Sequence, residues 1–458
     1  MAELTTTLQS TLETLVENKK YAALREILIT MQPADVAALF DSIDEDKLPL
    51  LFRLLPKEQA AETFVEMDSD LQELLIRGFS DAELKEVVDE LYVDDAVDIV
   101  EEMPANVVKR ILKQADPDMR KMINEILKYP EDSAGSIMTT EYVSLRPDMT
   151  AEDAIKRIRR TGIDKETIYT CYITDNNRKL LGYLTLKTLL LADEDTMVSE
   201  LMGTDVISVT TTDDQEDVAA AFSRYDLPAL PVVDRENRLV GIVTVDDAID
   251  VMEEEATEDI EKMAAITPSD KPYLKMNVFD IWKARIPWLL LLMISATFTG
   301  MIISSFESAL SKWIALTAFI PMLMDTGGNC GSQASVTVIR ALSVGDLELS
   351  DIFRVLWKEL RVSILCAAAL AIANFVKIQL IDVLLMGNTD ITIGVTMVVS
   401  CTLAFTTIVA KLVGCSLPLL AKKIGFDPAV MASPFITTIV DALSLLIYFR
   451  VASIVLGI

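Results

Sequence analysis

Apolar positions follow three different rhythms along this chain. Over residues 1–132 they recur at helical spacing, as in Ala34-Asp-Val-Ala-Ala-Leu-Phe-Asp-Ser-Ile and Asp95-Ala-Val-Asp-Ile-Val-Glu-Glu-Met, with Pro33, Pro56, Pro104 and Pro117 as punctuation. That pattern predicts consecutive short amphipathic helices that recur irregularly, as in a small superhelix. Over residues 133–245 short strand-like runs appear twice. Ser136-Ile-Met-Thr-Thr-Glu-Tyr-Val-Ser-Leu is answered by Glu200-Leu-Met-Gly-Thr-Asp-Val-Ile-Ser-Val, and Tyr172-Ile-Thr-Asp175 through Gly182 by Pro231-Val-Val-Asp234 through Gly241. Each copy closes with strand, turn, Gly, strand, then a helix opening at Lys187 or at Asp246-Asp247. From residue 286 the pattern becomes apolar runs of about 20 residues, the length that crosses a bilayer. Five spans are predicted, at about 286–306, 313–342, 362–385, 391–420 and 429–456.

Charge divides the chain at the same place. The 458 residues carry 41 Lys/Arg and 70 Asp/Glu, a net charge of -29, yet 51% are hydrophobic. Residues 1–274 hold a net -31, and residues 275–458 a net +2. A front this acidic excludes nucleic acid as a partner and makes cations its counter-species. Lys283, Arg285, Arg354, Lys358, Arg361, Lys422 and Lys423 fall on alternate loops, whereas the other loops carry little beyond Lys312. By the positive-inside rule the acidic front is cytoplasmic and the C-terminus outside. The start, MAELTTTLQS, has no apolar core of a signal peptide. There is no His, no P-loop lysine motif and no nucleophile paired with a base, so an enzyme is the least favoured class. Five cysteines, with no CxxC pair, read as small buried residues.

Two spans contain groups that a lipid-facing helix avoids. The second reads Pro321-Met-Leu-Met-Asp325-Thr-Gly-Gly328-Asn329-Cys-Gly331-Ser-Gln333, and its glycines predict a helix weakened at mid-membrane, with freed carbonyls as oxygen ligands. The alternative is close packing of small residues. The fifth carries Ser433, Thr437, Thr438 and Asp441. Asp441, Asp325 and Asn329 all fall near mid-depth and could line one site. A carboxylate there costs several kcal/mol unless it meets water, a cation or a partner. Asp441 therefore reads as a cation site, against an ion pair with Lys377 or Lys411. Oxygen-only donors suit Mg²⁺, Ca²⁺ or Mn²⁺. Between the two halves, Glu255, Glu258 and Asp259 share one helical face, where repulsion would be relieved by bound dications. The plainer reading is a solvated face.

The repeat at 133–245 resembles a tandem pair of cystathionine-beta-synthase (CBS) domains, and such pairs bind adenine nucleotides or ions. The whole arrangement resembles the MgtE family of bacterial magnesium transporters. The motifs that carry the resemblance are Pro321 through Gly328-Asn329-x-Gly331-x-Gln333 with Arg340-Ala-Leu, and Phe426-Asp427-Pro428-Ala429 through Ser433-Pro434 to Asp441. The resemblance implies a multidomain protein. An α-helical superhelical domain (1–132), an α/β CBS pair (133–245) and an acidic connecting helix with its linker (246–285) precede an all-α pore domain of five helices (286–458). It implies a homodimer in the plasma membrane that imports Mg²⁺, with a pore at the dimer interface lined by Asp441, Asn329, Gly328, Asp325 and Ser433. It further implies cytoplasmic Mg²⁺ sensing by Asp214, Glu216, Asp226, Asp247, Asp250, Glu255, Glu258 and Asp259, more loosely by Glu62, Asp94 and Asp98, and by Asp427 before the last span. ATP in the CBS pair is a further expectation that no residue pattern here places. Some members carry Asn where this chain has Ser332 and Ser433. A CBS-regulated carrier of Mn²⁺ or Co²⁺ is the alternative, and a non-transporting receptor the rival from another class.

Overall fold

Prolines open the N-terminal helices as their positions predict. Pro33 and Pro117 occupy the first turns of Pro33–Asp41 and Pro117–Ile126, where a missing N–H costs nothing, and Pro56 and Pro104 stand at the N-caps of Lys57–Val65 and Ala105–Gln114. Ser80 and Glu83 cap Asp81–Val88 reciprocally. The structure, a computed structural model, describes residues 11–457 apart from positions 13, 17, 164, 270, 272 and 432, and it leaves out the side chains at 308, 309 and 433. It divides into two units, Met1–Asp250 and Val251–Ile458.

In the first unit the short helices from Tyr21–Ile29 to Pro117–Ile126 bury a common apolar side, including the ring cluster Phe52, Phe64 and Phe79. The repeat becomes two three-stranded sheets. Strands β1 (Tyr142–Leu145), β2 (Thr167–Thr174) and β3 (Leu180–Thr185) form one, and β4 (Val209–Thr210), β5 (Ala229–Val233) and β6 (Leu239–Thr244) the other. In each, the first pair is parallel and the second antiparallel. The two turns are built alike. Asp175 Oδ1 accepts from the N–H groups of Asn177 and Lys179, and Asp234 Oδ1 from those of Glu236 and Arg238. The copies also bond reciprocally: Leu180 N donates to Asn237 O at 3.0 Å and Leu239 N to Arg178 O at 2.9 Å. Likewise Tyr183 N reaches Gly203 O and Ile242 N reaches Thr139 O. A Cβ on Gly182 or Gly241 would fall 2.6 or 2.7 Å from those same carbonyls, which is why each copy has glycine there. The repeat read from sequence is thus a local pseudo-twofold.

Among the described residues, four helices are long and apolar enough, by length and composition, to cross a membrane: Val278–Ser305, Leu349–Leu385, Ile393–Lys423 and Pro428–Leu456. The segment expected at 313–342 is not one of them. A 3₁₀ stretch, Ile314–Phe319, leads into the 24-residue helix Ile320–Ser343, whose Asp, Asn, Gln and Gly make it polar. At 1.5 Å per residue it is about 36 Å long, and it packs against Ile393–Lys423 and Ser433–Leu456. Where five apolar spans were expected, the described residues form four apolar helices and a polar one.

The expected break at Gly327, Gly328 and Gly331 is absent. The helix runs through all three, and Pro321 sits in its first turn, where it interrupts nothing. The glycines serve contact instead. A Cβ on Gly327 would lie 2.8 Å from Ser444 Oγ, on Gly328 2.8 Å from Thr437 Cγ2, and on Gly331 2.8 Å from Ile436 Cγ2. A Cβ on Gly414 would lie 2.2 Å from the Gly331 carbonyl oxygen. Small residues let these helices meet backbone to backbone, and the carbonyls stay in the helix rather than becoming ligands. Tyr448 Oη donates to Leu316 O at 2.9 Å and pins the 3₁₀ lead-in to the last helix.

Gly414→Ala should overpack this contact and destabilise the membrane unit by about 1–3 kcal/mol. Gly300→Ala, where a Cβ meets nothing within 4 Å, should be neutral. Thermal unfolding in detergent compares them, and equal melting of the two variants would contradict the packing account.

Candidate functional site

Three groups of carboxylates lie where the chain offers them unusual surroundings. The first is in the membrane unit. Asp441, on helix Ser433–Leu456, has a buried Oδ1 with no hydrogen-bond partner among the described residues. The expected alternative, an ion pair, does not form: Lys377 Nζ binds Asp382 at 2.8 Å, and Lys411 is buried with no carboxylate partner among the described residues. Asp325 is close enough to act on Asp441 as a like charge. The contacts of Gly327 with Val440 and of Gly328 with Thr437 hold Asp325 and Asn329 beside the Asp441 turn. Pro321, Asp325, Asn329 and Gln333 follow each other at four-residue steps, and all are exposed. They form a polar stripe along a helix otherwise surrounded by apolar ones. Gly328 itself is buried against Thr437, so it is a packing residue. Thr438 Oγ1 donates back to Pro434 O at 3.0 Å, an internal use of a hydroxyl. The Ser433 side chain lies outside the described residues.

The second group is in the first unit, where helix Val93–Glu102 and the start of helix Val245–Met263 bring Asp94, Asp95 and Asp98 near Asp247. Asp250 adds its charge to Asp247. Sequence reasoning missed Asp95, Glu141 and Glu166. Glu141 Oε2 accepts from Val93 N at 3.0 Å, and Glu166 has a buried Oε2 without a hydrogen-bond partner among the described residues. Nothing in the local pattern of Glu166 marks it; only the fold places it beside Asp95 and Asp247. Asp94 is 7% exposed. None of Asp94, Asp95, Asp98, Glu166 and Asp247 has a Lys or Arg partner among the described residues.

Burial, then repulsion from Asp247, pushes Asp95 up to about 7 and Asp94 well above the usual carboxylate range. Burial, then Asp95 and Asp247, pushes Glu166 up to about 8. Asp98 is raised by the same two causes, but it stands on the solvent-open rim, where water screens it more than Asp94. Asp247 is raised by burial, offset by a hydrogen bond of 2.5 Å from Thr244 Oγ1. No three carboxylates among the described residues converge as a ready metal cage. The arrangement is crowded negative charge, which hydrated cations can neutralise without stripping their water.

Other expected sensors stand apart from this group. Glu62 is exposed on helix Lys57–Val65. Asp214 caps helix Gln215–Tyr225 by accepting from Glu216 N at 2.9 Å, and Asp226 ends that helix in the left-handed conformation with φ of 50°. The two lie at opposite ends of one helix, about 18 Å apart at 1.5 Å per residue, so the fold of one chain does not unite them with Glu216 into one site.

The third group is in the second unit, where the last turns of helix Val245–Met263 meet the end of Ile320–Ser343 and the loop before the last helix. Lys262 Nζ lies 2.7 Å from Asp427 Oδ2 and 2.5 Å from Glu258 Oε1. Ser343 Oγ donates to Asp259 Oδ2 at 2.8 Å, and Met263 packs on Ile339 and Ala429. Asp427 also accepts from Ala429 N. Glu255 is half-buried one turn earlier. Burial raises the Asp259 carboxyl, Ser343 pulls it back, and Asp427 raises it again. Burial disfavours the Lys262 ammonium, but hydrogen bonds to Asp427 and Glu258 outweigh this and raise it. Of the expected Glu255, Glu258, Asp259 and Asp427, the structure brings Glu258 and Asp427 onto Lys262, with Asp259 on Ser343 beside them. Lys262 and Ser343 were not foreseen, although Glu258 and Lys262 stand at pairing distance on the helix.

The raised carboxyls of the second group have a pH signature. A carboxyl raised in the folded state lends stability below its unfolded value, near 4, that is lost as pH rises through about 8. In chelator, the full-length protein should therefore melt lower at pH 8 than at pH 6. An Asp95→Asn, Asp98→Asn double variant should melt higher than wild type at pH 8 and change less across this window. A double variant no more stable than wild type at pH 8 would remove the repulsion account.

Comparison with known proteins identifies the family. Residues 320–451 match the MgtE model described as a divalent cation transporter, residues 31–132 the MgtE intracellular N domain, and residues 134–195 and 198–254 the CBS domain. The chain is 38% identical to the magnesium transporter MgtE of Thermus thermophilus over 438 residues, 95% of either chain. It is 33% identical to the magnesium transporter MgtE of Bacillus subtilis over 443 residues, covering 96% of this chain and 95% of that one. Among solved structures, the cytosolic domain of the Mg²⁺ channel MgtE in complex with ATP superposes with a TM-score of 0.51 at 38% identity, covering 53% of this chain and 99% of that one. The soluble part of a magnesium transporter does so with a TM-score of 0.51 at 30% identity, covering 55% and 99%. Family models over its length and relatives covered to 95% or more show that the chain belongs to the MgtE family of magnesium transporters, a transporter rather than an enzyme.

Proposed function

We propose that this chain forms a homodimeric, Mg²⁺-selective pore that imports magnesium across the plasma membrane and is closed by Mg²⁺ on its cytoplasmic side. The observation that carries the pore is Asp441 Oδ1, buried in the membrane unit without a hydrogen-bond partner among the described residues. Two like charges, Asp441 and Asp325, near mid-depth are costly unless a cation visits them. The exposed stripe Asp325, Asn329 and Gln333 needs water or a second copy opposite it, and two copies facing each other across an aqueous path supply both. All donors offered are oxygen, and Mg²⁺ keeps several waters, so a few carboxylate and amide groups lining a wet path suit it. Mn²⁺ and Co²⁺ remain the competing cargo by donor chemistry, and the magnesium transporters among the relatives favour Mg²⁺.

Gating follows from the same imbalance. With few cations, residues 1–274 carry -31 per chain, and the crowding around Asp95, Asp247 and Glu166 favours loosening. Mg²⁺ relieves that crowding and favours the compact, closed state. Swinging a two-state balance from 1:99 to 99:1 takes about 5.5 kcal/mol, and a site at tenfold excess over its Kd supplies about 1.4, so roughly four weak sites suffice. The 19-residue helix Val245–Met263 starts in the first unit and ends in the second, and it is the element such a balance would move. The relative crystallised with ATP supports an adenine nucleotide as a second ligand of the CBS pair.

Uptake into proteoliposomes, read with an internal Mg²⁺ dye, should fall at least tenfold in Asp441→Asn while the protein still assembles as a dimer. Wild-type flux in the variant would remove Asp441 from the path. Limited proteolysis of the full chain should slow severalfold in millimolar Mg²⁺, and unchanged cleavage would contradict gating by the cytoplasmic carboxylates.

A further inference from the structure

The junction of the connecting helix with the membrane unit already contains a cation. Lys262 stands between Glu258, one turn earlier on its own helix, and Asp427, on the loop before the last helix. Its side chain is 23% exposed, and those of Glu258 and Asp427 are 38% and 34%. The pair is therefore partly shielded, and screening weakens it less than a fully exposed one. The contact is not isolated. Met263 packs on Ile339 and Ala429 beneath it, and Ser343 Oγ donates to Asp259 on the neighbouring face. Ion pair, hydrogen bond and apolar contact together dock one helix end.

We propose that the Lys262 ammonium is the resident cation of the Glu258–Asp427 pair: it holds the connecting helix on the membrane unit when divalent cations are scarce, and it competes with them for the same carboxylates. The competition rests on the gating reading above. A dication bridging Glu258 and Asp427 must take the oxygens that Lys262 now engages, because two cations between the same two carboxylates repel strongly at such range. Asp427 has little to spare, since its Oδ1 accepts from Ala429 N. The donors suit either guest: carboxylate oxygens serve an ammonium by hydrogen bonds and a hard dication by coordination. The tethered ammonium gives up no translational freedom on binding, whereas Mg²⁺ brings twice the charge but must shed or share its water. Lys262 would thus keep the junction from falling apart in low Mg²⁺ and set how much Mg²⁺ is needed to replace it.

Hydrogen exchange of the full-length protein, followed over helix Val245–Met263, tests both halves. In chelator, Lys262→Met should exchange at least threefold faster than wild type over its last two turns, with exchange in Ile393–Lys423 unchanged. On titration with MgCl₂, the same variant should reach half-protection at a concentration at least threefold lower. Lys262→Arg should keep protection in chelator and need more Mg²⁺ than wild type, because a guanidinium grips a carboxylate with two hydrogen bonds. Equal exchange of Lys262→Met and wild type in chelator would overturn the holding role. A midpoint unchanged or raised in Lys262→Met would overturn the competition. Should Lys262→Met lose protection in Ile393–Lys423 as well, the Lys262→Arg midpoint decides, and an unmoved midpoint overturns the proposal. A wild type indifferent to MgCl₂ sinks the gating reading, while the comparison in chelator still decides the holding role.

Discussion

An unpaired carboxylate within the membrane unit is the constraint around which the rest of that unit is arranged. Asp441 Oδ1 is buried and has no hydrogen-bond partner among the described residues, and neither Lys377 nor Lys411 answers it. In hydrocarbon such a group would be neutralised or expelled. It persists because the adjacent helix Ile320–Ser343 is polar along one side, and because glycines bring that helix close enough to place Asp325 and Asn329 at the same turn. The apolar helices around it supply the lipid-facing surface that the polar helix cannot. Gly327 and Gly328 pack this helix against Val440 and Thr437 of the last one, while Gly331 and Gly414 bring it against helix Ile393–Lys423.

The cytoplasmic part poses the same problem in water. Asp94, Asp95, Glu166 and Asp247 are crowded and shielded, with no basic partner among the described residues. A structure selected only for stability would pair them or move them to the surface. Leaving them unpaired lowers stability at neutral pH and couples the fold to whatever cations are present. At the junction with the membrane unit the chain answers its own charge, through Lys262 between Glu258 and Asp427. Carboxylates without a basic partner among the described residues thus stand in both units, and a set paired with Lys262 stands at the end of the connecting helix.

Much of this was legible in the order of residues. The amphipathic helices, their proline punctuation, the twofold repeat and the apolar spans all arise from local periodicity, which a chain expresses before it folds. Asp441 was legible because a charge in an apolar run has few innocent explanations. The glycine run was misread as a broken helix, because glycine weakens an isolated helix but permits close approach in a packed one, and sequence alone does not show what lies opposite. Asp214 and Asp226 carried acidic side chains of the right kind but cap two ends of one helix.

What the sequence determined by itself is the kind of element at each stretch, the division of charge between the two halves, and the oxygen-only chemistry available. What only the tertiary structure decided is which charges meet. Glu166 joins Asp95 and Asp247, Lys262 reaches Asp427, and Asp441 is left without a partner. Local periodicity acts over a few residues, whereas electrostatic neighbours are chosen by packing between segments far apart in the chain, and no spacing rule reports that choice.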